Sequence, residues 1–216
     1  VDLDDYDGLV DTLTNYHYSR QDLVAAIPVH IKLFEAKANR TLKCRQMETR
    51  SYTDVLEAPT EPQYISLPSD FQTMRTLRIV TDGVAGAPLK FRTFFQLNDI
   101  RNQSPDMTGD PAFFTVFGTE MELFPEPAYP LRLEMVYRCT IPALTASAPN
   151  NWLFDAAPDA YLYGALMEAA PYMREDERVT MWAQGLAATV GQLNDLSNDA
   201  TYNSGPLTMS RRRRGY

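Results

Sequence analysis

Two histidines, His17 and His30, stand thirteen residues apart, and neither has a second ligand at the short spacing by which a helix or turn closes around zinc. They read as structural or surface residues. Cys44 and Cys139 are far apart, one beside a helical segment and one in a strand-like run, so both are expected reduced and buried instead of bridged. The nucleophile elbow G-x-S-x-G, the phosphate loop G-x-x-x-x-G-K-[ST] and the dinucleotide loop G-x-G-x-x-G do not occur. The acidic start DLDDYDG invites a calcium reading. With Gly8 at the loop glycine, however, Leu3 and Thr14 fall where carboxylate ligands belong, so Asp5 and Asp7 read as acids at a helix N-terminus, where the dipole favours them. Glu175, Asp176 and Glu177 read the same way. Asn39 and Asn102 sit in glycosylation patterns, which act only on a secretory route. The residues therefore offer no catalytic, cofactor or metal site, and a hydrolase with an acidic site has no positive signal.

Charge carries more information. Arg211, Arg212, Arg213 and Arg214 are consecutive, with Tyr202 before them and Tyr216 at the end. Four adjacent guanidinium groups can hold nucleic-acid phosphates, dock on an acidic protein surface or solubilise a chain end. The two tyrosines favour docking, because aromatic residues and Arg anchor interfaces. The net charge of −8 includes this run, so the rest of the chain stands at −12 and is repelled by phosphate backbones. Of the 20 basic residues sixteen are Arg, which suits planar hydrogen-bonded contacts. A second feature is NNWLFDAAPDAYLYGALMEAAPYMREDE, residues 150–177. Trp152, Tyr161, Tyr163 and Tyr172 bring more polar-tipped apolar area than one helix stripe needs, and are expected on a helix face covered by another subunit. The alternative is that they fill the seam between helices and strands of one chain.

The elements that must position these residues follow from periodicity. Leu9, Leu13 and Tyr16 recur at helical spacing; Ser19 and Asp22 resemble a capping box; Pro28 suits a first turn, with Ile31, Phe34, Ala38 and Leu42 forming one buried stripe after it. From about Met47 to Thr140 five to seven short strands are expected, among them LRLEMVYR, in which Leu131, Leu133, Met135 and Tyr137 alternate with Arg132, Glu134 and Arg138. FGTE reads as a hairpin turn and RTFFQLNDIRNQ as a short helix on the sheet. After the loop TIPALTASAPN, Pro158 opens a helix with Leu162, Ala165, Leu166 and Ala169 inward, Pro171 ends it, and a longer helix from about Glu175 buries Val179, Trp182, Leu186, Val190 and Leu193. Beyond Leu196 the chain is polar and without period, and is expected to order only against a partner. The expected fold is α+β: a helical bundle of N- and C-terminal segments, 1–45 and 151–196, a β-rich insert, 46–145, and an extended tail, 197–216. No apolar run approaches the roughly 18 residues that cross a bilayer, and VDLDDYDGLVDTL lacks the basic and apolar regions of a secretory signal; no membrane association is expected, and synthesis in the cytoplasm is.

Three blocks carry a resemblance. SRQDLVAAIPVHIKLFEAKANRTLKCRQME, ISLPSDFQTMRTLRI and NWLFDAAPDAYLYGALMEAAPYMREDERVTMW, with a late YNSGPL, resemble the tailed-bacteriophage head-to-tail adaptors of the SU10-like type, over about Leu9 to Leu207. Its most specific part is Asn151, Trp152, Pro158, Tyr161, Leu162, Gly164, Ala165 and Tyr172, followed by Asp22, Ile27, Pro28, Asn39 and Arg40. The resemblance implies a structural virion protein and no enzyme: a ring of about twelve copies at the neck, bound to the portal protein, extending the DNA channel and receiving a tail nozzle or tail-tube protein. It also implies that the helical part makes the ring, the β-rich part faces tail components and residues 197–216 reach the portal. The arginine run departs from the family pattern, and a nucleic-acid-binding module using it is the competing reading.

Overall fold

In the computed structural model the described residues are 3–17, 20–56, 64–81, 83–104, 107–172 and 178–202, with side chains described up to residue 198. Their order is α1 (Tyr6–Tyr16), α2 (Gln21–Thr41), β1 (Glu48–Tyr52), β2 (Tyr64–Ser66), β3 (Phe71–Thr81), β4 (Val84–Pro88), β5 (Lys90–Phe91) and α3 (Phe94–Gln103). There follow β6 (Thr108–Gly109), β7 (Phe113–Phe117), β8 (Glu120–Phe124), β9 (Glu126–Pro127), β10 (Arg132–Cys139), α4 (Trp152–Ala156), α5 (Pro158–Ala169) and α6 (Val179–Tyr202). The fold is α+β, and the chain divides into two compact units, Val1–Arg45 with Ile141–Tyr216, and Gln46–Thr140.

The first unit is helical. Asp5 caps α1 by accepting the Gly8 N–H at 2.8 Å, so the first acidic cluster closes a helix and does not form a calcium loop. The start of α2 differs from the capping-box expectation: Arg20 holds the N-cap position without a side-chain cap bond, and Asp22 pairs with the Arg20 guanidinium at 2.7 Å, which holds its carboxyl down to about 2. Ser19 lies outside the described residues. Pro28 also differs, sitting inside a 21-residue helix instead of at its first turn; it removes only the donor to the Val24 carbonyl, and burial of Leu23, Ile27, Ile31, Phe34 and Ala38 along one side holds the helix through it.

Helix α5 lies between α2 and α6. Toward α2 it turns Tyr161, Gly164 and Glu168, which meet Phe34, Glu35 and Lys37. Toward α6 it turns Asp159 and Tyr163, which meet Thr189 and Gly185. With neighbours on opposite sides its Ala160, Leu162, Ala165, Leu166 and Ala169 are buried as well, which is why the helix is apolar nearly all round. Gly164 marks the closest approach, since a Cβ there would lie 2.1 Å from the Phe34 ring. Helix α6 begins at Val179 and buries Trp182 and Leu193, while Val179, Leu186 and Val190 are half-buried. It also runs past Leu196 to Tyr202, so the extended tail expected from residue 197 starts no earlier than 203. The reason is a long-range contact: Ser197 accepts the Arg45 N–H at 2.7 Å and Asn194 accepts the Lys43 N–H at 3.1 Å, so these residues pack on the end of α2.

The second unit holds ten strands among the described residues, more than the five to seven expected, in sheets ordered β1-β10-β3-β4, β2-β8-β7-β5 and β6-β9. The alternation in β10 is present, with Leu131, Leu133, Met135 and Tyr137 in a core shared with Leu77, Phe114, Met121 and Leu123. On the other side Glu134 is buried and pairs with Arg50 at 3.5 Å. Gly118, at φ +61, makes the tight turn between β7 and β8 that FGTE announces. Both cysteines are free; Cys44 is buried, whereas Cys139 is only half-buried, its thiol directed at the Met47 carbonyl at 3.2 Å.

Candidate interaction surfaces

The most polar interior site is a cluster of Glu35, Tyr161 and Asn151. The Tyr161 hydroxyl donates to Glu35 Oε1 at 3.0 Å and accepts from Asn151 Nδ2 at 2.7 Å. Glu35 Oε1 also takes the Leu144 N–H at 2.7 Å, while Asn151 donates to the Pro142 carbonyl and caps α4 by accepting the Phe154 N–H. Burial raises the pKa of Glu35 and pushes the Tyr161 hydroxyl up strongly. A carboxyl with a raised pKa beside a tyrosine resembles acid–base machinery, but its hydrogen bonds go to the backbone that rejoins the helices, and Tyr161 is 0% exposed. The cluster fixes the 141–151 segment on α2 and α5; a substrate does not reach it. Among the described residues no group of three or more His, Cys, Asp or Glu is placed to hold a metal.

The four aromatic residues assigned to a subunit-facing surface do not share a face. Tyr161 belongs to the interior, and this corrects its assignment: its polar tip is satisfied by Glu35 and Asn151, and its ring by Phe34 and Phe154. Tyr163 is half-buried on the other side of α5, over Gly185. Trp152 is half-buried, with its indole N–H enclosed and without a hydrogen-bond partner among the described residues. Tyr172 alone of the four is open, 60% exposed, and stacks on His30 at 6.0 Å. His30 and His17 are buried, and burial lowers the pKa of His30. Tyr202 ends α6, and Arg211, Arg212, Arg213, Arg214 and Tyr216 lie outside the described residues.

Two surfaces escaped the sequence reading. On α2, Val29 and Leu33 stand one turn apart on the side away from the buried stripe. In the second unit Phe94, Phe95 and Phe117 are exposed, Phe95 to 78% and Phe117 to 70%. Phe94 meets the other two rings at 6.0 and 5.8 Å, so these phenylalanines form one apolar patch. Helix α3 is rigidly set: Thr93 and Gln96 form a reciprocal capping box, Leu97 is fully buried, and Arg101 pairs with the buried Glu122 of β8. The patch is therefore presented by an anchored element. Its signal in the sequence was the adjacent pair Phe94 and Phe95, which a helix cannot turn inward together. Nearby, a groove of about 630 Å³ is lined by Thr73, Arg75, Leu77, Phe91 and Phe114.

A comparison with family models places the chain. The model described as SU10 adaptor protein matches residues 4–210. The chain belongs to the SU10 adaptor protein family. No curated protein matches it. The match covers both compact units, so this SU10 adaptor carries its family character in the helical segments and in the strands between them. Membership gives it the role of a bacteriophage adaptor, a structural protein. No described helix of the SU10 adaptor is long and apolar enough to cross a membrane.

Proposed function

We propose that this SU10 adaptor assembles as a ring of about twelve copies beneath the portal protein, at the neck of the virion, where it extends the DNA channel and attaches the tail. The observation that carries the reading beyond family membership is apolar surface left outside two filled cores: Phe94, Phe95 and Phe117 in one unit, Val29, Leu33 and Tyr172 in the other. The three phenylalanines form one contiguous patch, and exposed apolar patches mark surfaces that a partner covers. The helical unit supplies contacts between copies, the phenylalanine patch receives the tail nozzle or tail-tube protein, and the segment with Arg211, Arg212, Arg213 and Arg214 docks on the portal. Repeated around a ring, a body of −12 per copy makes a channel wall that repels phosphates, so the viral DNA slides through without specific binding. The chain is made in the host bacterial cytoplasm and is monomeric or weakly associated until the portal gathers it; many weak contacts then act together.

Imaging purified virions tests the proposal: density for this chain is expected as a ring at the neck, touching portal and tail. Sedimentation of the pure chain at low micromolar concentration is expected to show a monomer that enters a larger complex when portal protein is added. Absence from mature particles, or equal binding of the pure chain to DNA with a steep salt dependence, rejects it.

A further inference from the structure

We infer that the outward face of α2 in one copy seats on the outward face of α6 in the next, making a head-to-tail contact; this rests on the ring reading above. Because α5 meets α2 through Tyr161, Gly164 and Glu168 and meets α6 through Asp159 and Tyr163, the two outer helices lie on opposite sides of a three-helix layer. In a cyclic ring each copy meets the next through two different surfaces, and faces on opposite sides of one layer are placed to make such a heterologous contact.

The two faces are complementary in shape. On α2 the outward residues are bulky, Val29 at 56% and Leu33 at 43% exposed. On α6 the outward residues Ala187 and Ala188 are small, and at Gly191 the space that a side chain would occupy is open. Exposed Met181 and Leu196 stand toward either end of this low stretch, and the exposed Gln184, Gln192 and Asp195 complete a rim that is part apolar and part polar. A ridge of branched side chains one turn apart fits a groove floored by alanines and a glycine. The charges also match: the exposed charges of α2 beyond its first turn are Lys32, Lys37 and Arg40, whereas the described side chains of α6 carry one charge, the exposed Asp195. Lys37 already pairs with Glu168 of its own copy, which leaves Lys32 and Arg40 as the cations that face a neighbour. Sense agrees as well. Lys43 and Arg45 bond to Asn194 and Ser197, so the C-terminal ends of α2 and α6 lie at the same end of the unit, and Arg40 and Asp195 are level. With the helices running along the ring axis, the rotation that takes one copy to the next keeps them level.

The test uses the full chain carrying Leu33→Cys and Ala188→Cys together, assembled in virions or on the portal and oxidised mildly; the single variants serve as controls. The double variant is expected to give a ladder of covalent multimers, and each single variant nothing beyond the background of the wild-type cysteines. A charge test runs beside it. Asp195→Lys is expected to lower ring yield by about tenfold, and Arg40→Glu in the same chain to restore it to within about twofold. Rings seen by imaging without a ladder, and with no recovery in the charge-swapped chain, overturn this contact while leaving the ring reading standing; particles in which the chain forms no ring overturn both.

Discussion

Gly164→Ala is the smallest change that tests the helical layer. The added methyl carbon would sit 2.1 Å from one atom of the Phe34 ring and 2.5 Å from two others, against the roughly 3.5–4.0 Å at which carbon atoms rest. The ring cannot swing away freely, since Phe34 is buried and the edge of Tyr161 holds it at 5.1 Å. Helices α2 and α5 must therefore part, at a cost of about 3 kcal/mol, the upper end of overpacking penalties. Alanine returns about 1 kcal/mol of helix propensity, leaving a net loss of about 2 kcal/mol. For a chain of this size that lowers the melting temperature by about 4–8 °C, read from the helical far-ultraviolet signal of the purified protein. Placing the substitution in a Phe34→Leu background should cut its penalty by more than half, because the ring it strikes is gone. A Gly164→Ala protein that melts at or above the wild-type temperature refutes the close approach of the two helices.

Three further outcomes are expected. Glu35 has a folded pKa raised by burial, so its contribution is present below the unfolded value of about 4.3 and is lost as pH rises through the folded value; urea unfolding should show Glu35→Gln gaining stability relative to wild type from about pH 4.3 upward, and a pH-independent difference rejects this. Replacing Phe95 and Phe117 together by Ser should leave the melting temperature within about 1 °C, since both rings face solvent, while lowering capture of the tail protein by about tenfold or more in a pull-down from assembled heads; unchanged capture removes the patch from the tail contact. Deleting residues 203–216 should leave α6 and its melting transition intact and abolish binding to immobilised portal protein. A cut at 197 is the wrong form of that experiment, because Ser197 accepts the Arg45 N–H.

The parts legible in the sequence were those whose cause is local. The stripe Ile31, Phe34, Ala38 and Leu42 is buried as its spacing says, the alternation from Leu131 to Tyr137 faces a core, and Gly118 turns where FGTE suggests. The parts missed depend on neighbours distant in the chain. β1, ETRSY, is polar on both faces and is a strand because it pairs along β10 from Glu48 with Arg138 to Tyr52 with Glu134. β4, VAGAP, carries Gly86 and Pro88 and is held at the edge of β3. The extra turns of α6 depend on Arg45 and Lys43, about 150 residues earlier. Tyr161 looked like a surface anchor because its polar tip had no visible partner; Glu35, 126 residues away in sequence, supplies it. Of the aromatic residues that composition singled out, Tyr161 is interior and Tyr172 is open, while the exposed Phe94, Phe95 and Phe117 lay in segments read only for their backbone.

The pairing of β1 with β10 has an evolutionary corollary. The strand that opens the inserted unit and the strand that closes it are neighbours in one antiparallel ladder, Glu48 opposite Arg138, which sets their Cα atoms about 5 Å apart. A cassette whose two attachment points nearly touch can be exchanged for another of different shape, or shortened to a brief turn, without pulling apart the helices to which it is spliced. Recombination between phages can thus exchange the strand-rich unit of such a protein in a single genetic step while its helical segments stay unaltered.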